Sequence, residues 1–492
     1  MSQVVQAARR FLLQPLPSDT ANFITMKILV AIASHGTRND AYLARLIQEY
    51  RSMPYSVDIV VLSNITKPVP EGVELRVGLQ TKDPWSLPFG HKKLFADRVD
   101  EYDLFIYSED DTLITGRNIA AFLHATEILP PNEIAGYLRI EKGKDGKISY
   151  ADVHAHFHWD PSSVRTRGGQ TFAFFTCEHA ACYVLTRDQL KGCIASGKFL
   201  VGPHVDKYDL LCSAATDPYT QCGFEKLVSI SHIDDFLLPH LPNKYMGTRF
   251  DVEDAEFRRQ LKVLSSFATN GNHATSLFNT ETKLREAEYS KGYYETFRPE
   301  LNKLIPATTK TVLSVGCGWG ATELALVNQG LNVTALGLDP VVPGEEVRQR
   351  AELITGDMRS AICQLEGRKF DCLLLLNVLH LVPDPAGLIS SLRKLLSDQS
   401  LAIALVPNMQ QASARMRRPK PYSAFGRASE YEKFLVRYSS HRTVRQWFGH
   451  GGMKVTKTID VLHPRAQEIA RWTLGTINPL LSAEFFAIAT PE

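Results

Sequence analysis

Several features that would fix a protein class at a glance are scarce in this sequence. Its eight cysteines, at 177, 182, 193, 212, 222, 317, 363 and 372, are spread over 492 residues and include no Cys-x-x-Cys pair, which argues against a disulfide scaffold and a zinc ribbon. A reducing cytoplasm is the expected setting. No apolar run reaches the length of a membrane-spanning helix, and the opening "MSQVVQAARRFLLQPLPSDT" has no long apolar core followed by a small-residue cleavage site. Neither sign of charge is in excess: 55 basic against 53 acidic residues leave a formal net charge of +2, with no general pull toward nucleic acid or anionic membrane. Short-period repeats and long proline- or glycine-rich tracts are missing too, which excludes repeat arrays and low-complexity segments.

What is present is ordinary globular composition, 44% hydrophobic and 22% charged, in a chain too long for one hydrophobic core. From Met26 onward apolar runs alternate with helix-like segments: "KILVAIAS", "AYLARLIQEYRS", "VDIVVLSN", "VELRVG". That is the rhythm of an α/β layer protein. Residues 1–25 read as an N-terminal extension, with "VVQAARRFLLQPL" as a short amphipathic helix whose alternative use is a peripheral membrane contact. Residues 251–283 read as a linker with a charged helix, and "SSFATNGNHATS" has the clearest loop composition. A second strand-helix series starts at Lys310. The expected fold class is α/β with two domains, residues 26–250 and 284–492.

In "TVLSVGCGWGATELAL" an apolar strand ends at Val315, and Gly316, Gly318 and Gly320 lead into a helix, a turn that lets backbone approach a cofactor closely. Later strands end in "ALGLDP", "TGDM" and "NVLHLVPDP", which brings Asp339, Asp357, Asn377 and His380 to one carboxyl edge of a sheet. The glycine spacing is GxGxG, where a dinucleotide fold wants GxGxxG. This ordered set resembles the class I S-adenosylmethionine-dependent methyltransferases over roughly residues 284–492. The resemblance implies a Rossmann-like sheet, with Gly316, Gly318 and Gly320 against the methionine and ribose of S-adenosylmethionine, Asp339 on the ribose, Asp357 by the adenine amine, and Asn377 to His380 facing the acceptor. Many relatives carry an acid where this chain has Ser314; a hydroxyl can replace some of that acid's hydrogen bonds but not its charge, a departure that bears on cofactor affinity. His380 is a candidate base for a hydroxyl acceptor, with a pocket wall or a structural histidine as the equal alternative. "ARMRRPKPYSAFGR" at 414–427 reads as a solvated loop, or else as a lid over an anionic acceptor.

The second landmark is "YDLFIYSEDDTL", a strand that runs into Glu109, Asp110 and Asp111. Adjacent acids repel, and a hard divalent cation on oxygen ligands is one remedy. A solvated loop with a helix cap is the other. The stretch looks like the acidic motif of GT-A glycosyltransferases, and the likeness extends over roughly residues 26–250. It implies a nucleotide-sugar donor, a manganese or magnesium ion held by Glu109 and Asp111, His240 of "LLPHLPNKY" completing the metal shell, and Ser34, His35 and Arg38 near the nucleotide. For the base or nucleophile the candidates are Asp217, taken first, with Glu178 and Asp235; each can equally be a turn or cap residue. His154, His156 and His158 share one strand face but lack a carboxylate pattern, and read as an exposed edge rather than zinc ligands.

The expectation is a two-domain transferase that moves a sugar from a nucleotide sugar and a methyl group from S-adenosylmethionine onto an oxygen of a glycan or glycolipid-type acceptor, in a polysaccharide or glycolipid pathway. The alternatives are a methyltransferase whose N-terminal domain only binds carbohydrate or nucleotide, and a non-catalytic scaffold.

Overall fold

Apolar runs bounded by polar turns become the strands of four sheets among the described residues, of which a five-stranded and a seven-stranded sheet are the largest. The computed structural model describes residues 26–150, 157–246, 252, 254–270, 280–284, 288–292, 295–337, 344–411, 431–462, 467 and 478–492. The N-terminal extension, His154, His156, Asp339 and the basic stretch 414–427 lie outside them. The chain divides into two compact units, Met1–Asp152 with Glu178–Met246, and Val153–Cys177 with Gly247–Glu492.

The first unit holds β1 (Lys27–Ser34), β2 (Ser56–Ser63), β3 (Val73–Val77), β4 (Leu104–Glu109), β5 (Glu133–Ala135), β6 (Leu138–Lys142) and β7 (Ile148–Ser149). It also holds β10 (Cys182–Thr186), β11 (Glu225–Ser229) and β12 (Leu237–Pro239), while β8 (Trp159–Arg167) and β9 (Gln170–Phe175) belong to the second. Its main sheet has the order β10-β4-β1-β2-β3, with β1 to β4 parallel and β10 antiparallel to β4. All of β1 except Lys27 is buried, the continuous apolar pattern of a strand covered on both faces. With β2 on one side of β1 and β4 on the other, the winding reverses, and the carboxyl ends of β1 and β4 flank a crevice. Glu109, Asp110 and Asp111 stand at that edge. A parallel β6-β12 pair and an antiparallel bridge between Thr112 and His240 bring His240 to the acids.

In the second unit β8 and β9 form a hairpin turned by Gly168 and Gly169, both at positive φ. The helix Asp254–Asn270, within the stretch read as a linker, packs on it through Phe257 against Trp159. The large sheet contains β13 (Thr311–Cys317), β14 (Asn332–Gly337), β15 (Glu352–Ile354), β16 (Phe370–Leu376), β17 (Leu396–Pro407), β18 (Met453–Val461) and β19 (Glu484–Pro491). Its order is β15-β14-β13-β16-β17-β19-β18, and β19 alone is antiparallel to its neighbours. This is the expected Rossmann-like sheet, extended by an antiparallel strand.

Strand alternation builds a core on each face. Leu313, Val315, Leu373, Leu375 and Phe485 pack with Ile389, Val444 and Phe448 of the helices Pro385–Arg393 and His441–His450. Val312, Leu374 and Phe486 pack on the other face with Leu326 of the helix Ala321–Asn328. The winding reverses between β13 and β16, so their carboxyl ends define the second crevice. All eight cysteines are free thiols, and no helix among the described residues is long and apolar enough to cross a membrane.

Candidate active site

The glycine loop closes β13 in the way its sequence demands. Gly316 and Gly320 have φ of +85° and +96°, a region that costs any residue with a Cβ. A bulge between Val315 and Cys317 breaks the register with β14. Gly320 caps the helix Ala321–Asn328 without a side chain, leaving the first backbone N–H groups of that helix at the crevice. Beneath the loop, Ser314 Oγ donates to Glu323 Oε1 at 2.5 Å, and both residues are buried. The Cys317 thiol is pushed well up by burial and by the Glu323 carboxylate.

Asp357 caps the helix Met358–Gln364, accepting from Ser360 N at 3.0 Å and Ser360 Oγ at 2.6 Å, bonds that hold its carboxyl below the usual range. Asn377 sits at the end of β16 with φ of +53°, and its Nδ2 donates to Glu295 Oε1 at 3.1 Å. Glu295 in turn takes Lys291 Nζ at 2.6 Å, and the same ammonium donates to Leu376 O at 2.8 Å. His380, 1% exposed, lies 2.8 Å through Nε2 from the backbone oxygen of Tyr289. A carbonyl only accepts, so Nε2 carries the proton and Nδ1 keeps its lone pair. That Nδ1 is buried and has no hydrogen-bond partner among the described residues. Burial lowers the His380 pKa to about 4, with Lys291 adding to the effect and the Tyr289 bond opposing it.

Sequence reasoning missed Tyr289, Lys291 and Glu295. The only local signal was the four-residue spacing of Lys291 and Glu295, which in a segment without helical periodicity carries no prediction.

In the first unit the three acids have different fates. Asp110 is the strut: it accepts from Ser34 Oγ at 2.6 Å and Asn39 Nδ2 at 2.7 Å, tying the end of β1 to the end of β4. Burial raises its pKa to about 6 in spite of those donors. Lys67 Nζ closes the cluster, 2.9 Å from Ser34 Oγ and 2.8 Å from Asp40 Oδ1. Glu109 Oε1 and Asp111 Oδ1 are buried without a hydrogen-bond partner among the described residues, the first lying 3.9 Å from His179 Nε2. His35 and Arg38 are exposed in the loop after β1.

His240 is where the expected metal shell fails. Its Nε2 faces Asp111 Oδ2 at 3.4 Å and its Nδ1 faces Glu141 Oε1 at 2.5 Å, so neither ring nitrogen is left for a metal. Glu141 is itself fixed by backbone N–H groups of Lys244, Tyr245 and Met246. Burial works to lower His240 and to raise Asp111, but their mutual hydrogen bond and charge prevail: His240 is raised and Asp111 lowered. Among the described residues no group of three His, Cys, Asp or Glu side chains is arranged to hold a metal ion. Glu109 Oε1 and Asp111 Oδ1, which accept no hydrogen bond among the described residues, are of the type that suits a hard cation.

Asp217 is not presented as a base. It is fully buried on the helix Leu210–Thr220, ion-paired with Lys92 and 3.3 Å from His204 Nε2. Burial raises its pKa, and the Lys92 ammonium only partly opposes that. Glu178 takes Lys207 Nζ at 2.9 Å, and Asp235 pairs with Arg117. His158 lies just before β8, its backbone N–H donating to Thr176 Oγ1 at 3.0 Å.

Residues 287–458 match a family model described as a methyltransferase domain. Over 101 residues the chain is 34% identical to a ubiquinone biosynthesis O-methyltransferase of Xylella fastidiosa (strain 9a5c), a stretch that is 20% of this chain and 41% of that protein. The chain thus spans about two-fifths of the length of that relative. Among solved structures it is similar to an S-adenosylmethionine-dependent methyltransferase from Mesorhizobium loti, at 18% identity over 39% of this chain and 96% of that one, with a TM-score of 0.29. It is also similar to the mitomycin 7-O-methyltransferase MmcR, at 16% identity over 37% and 49% of the two chains, with a TM-score of 0.27.

Proposed function

We propose that this chain, whose C-terminal half carries a class I S-adenosylmethionine-dependent methyltransferase domain, transfers the cofactor's methyl group to a hydroxyl oxygen, with His380 receiving the hydroxyl proton. The observation that carries this reading is the unpartnered, buried Nδ1 of His380, held in one tautomer by the Tyr289 carbonyl. In this reading Gly316, Gly318 and Gly320 cradle the cofactor, and Asp339, Asp357 and Asn377 contact it. The sulfonium supplies a good leaving group, so the protein's task is mainly alignment. As the oxygen attacks the methyl carbon, its proton passes to Nδ1, and the imidazolium then yields that proton to water. With its pKa lowered to about 4, the ring is neutral at physiological pH and Nδ1 keeps the lone pair that accepts a proton.

His380→Gln keeps a donor for the Tyr289 carbonyl and removes the lone pair. It is expected to lower kcat roughly 100-fold or more, with the Kd for S-adenosylmethionine unchanged. Labelled-methyl transfer to a panel of phenols, catechols and saccharides measures this and identifies the acceptor; equal kcat in the variant would refute the base.

For the N-terminal unit we propose a nucleotide-sugar site, which makes the expected acceptor a saccharide or glycolipid. The supporting observation is that one buried oxygen each of Glu109 and Asp111, at the carboxyl edge of a parallel sheet, accepts no hydrogen bond among the described residues. These two residues would hold a manganese or magnesium ion, which supplies charge neutralisation to a diphosphate leaving group. Calorimetric titration with nucleoside diphosphates and manganese, on the unaltered chain and on Asp111→Ala, tests this reading. Binding without turnover of nucleotide sugars would favour a non-catalytic binding unit.

A further inference from the structure

Glu323 is a buried carboxylate at the second crevice with no ion-pair partner among the described residues. It is the third residue of the helix Ala321–Asn328 and 4% exposed; Ser314 Oγ donates to it at 2.5 Å, and it makes no ion pair among the described residues. A carboxylate in the first turn of a helix gains from the helix dipole, but that gain is smaller than the cost of removing an unpaired charge from water. The usual reciprocal bond of such an acid, back to the cap residue's N–H, is not made; the side chain turns under the glycine loop to the strand. Its target is Ser314, the position where a strand acid is missing from this sequence. The charge absent from β13 is therefore present in the same place, delivered from the following helix.

We propose that Glu323 recognises the α-ammonium group of S-adenosylmethionine, with Ser314 as the residue that aims it. This rests on the cofactor reading above. An unpaired anion under the loop that holds the cofactor is compensated when a cationic ligand arrives, and the ammonium is the cationic group that substrate and product cofactor share. Ser314 is thus a positioning residue, and its hydroxyl donates to the carboxylate where a second strand acid would repel it.

The experiment is calorimetric titration of the full chain with three ligands: S-adenosylmethionine, S-adenosylhomocysteine, which keeps the ammonium but lacks the sulfonium, and 5′-methylthioadenosine, which lacks both. Glu323→Gln retains an acceptor for Ser314 Oγ and removes only the charge. It is expected to weaken the first two ligands by roughly 10- to 100-fold and leave the third unchanged. Adding Ser314→Asp to that variant returns the acid to the strand and is expected to restore affinity for both amino-acid-bearing ligands. A uniform loss for all three ligands, or none, overturns the proposal, and so does a loss confined to S-adenosylmethionine. Thermal melting of each variant separates misfolding from lost recognition. If the unaltered chain binds none of the three, the cofactor reading itself fails and this proposal with it; if it binds all three and Glu323→Gln changes nothing, only the proposal fails.

Discussion

Protonating His380 should loosen the C-terminal unit, and the size of the effect follows from its burial. The ring is 1% exposed, and burial moves its pKa from 6.5 to about 4. The folded state therefore binds this proton less tightly than the unfolded chain does. Stability from this group is complete above pH 6.5, declines as the pH falls below it, and is fully lost below about 4. A shift of this size corresponds to about 3 kcal/mol in total, of which about 2 kcal/mol has gone by pH 5. Urea titrations of the unaltered chain and of His380→Gln, at about pH 8 and about pH 5, isolate the contribution, because all other titrating groups are common to both. The unaltered chain should lose about 2 kcal/mol more than the variant over that interval. Parallel losses would refute the reasoning, since they would mean that the ring is solvated or already charged.

The other expectations concern the first unit. Lys92→Met leaves Asp217 buried opposite no ammonium, which should cost about 3–5 kcal/mol, and replacing both residues by methionine should recover most of that loss; thermal unfolding reads both. Asp110 gives the opposite pH sign to His380: its folded pKa is raised from 3.8 to about 6, so its contribution is complete below pH 3.8 and lost as the pH rises through 6. Asp110→Asn should flatten about 3 kcal/mol of that slope in the N-terminal unit, measured by chemical denaturation across the interval. Glu141→Gln should lower the His240 pKa, read from the imidazole proton shifts, because one of its two carboxylate partners is then neutral.

What the sequence determined by itself is whatever depends on neighbours along the chain. Gly316 and Gly320 announce a left-handed turn because other residues resist that geometry, and the strand-helix rhythm announces α/β sheets because short apolar runs bounded by polar turns are local features. Strand ends carrying Asp357, Asn377 and His380 follow from the same rhythm. The acid cluster was equally legible as a cluster, since Glu109, Asp110 and Asp111 are adjacent.

What each of these groups can do was decided by partners far away in the chain. Asn377 meets Glu295 and His380 meets Tyr289 across 82 and 91 residues, and it is this packing that makes His380 a neutral lone pair. Asp217 meets Lys92 across 125 residues and is thereby closed as a base, and His240 meets Glu141 across 99 and is thereby closed as a metal ligand. Glu323 meets Ser314 only because a glycine turn folds the helix back over its strand. A carboxylate or imidazole has the same chemistry in any sequence. Whether it is charged, open or spent depends on desolvation and on the groups within hydrogen-bond reach, and only the tertiary fold sets those.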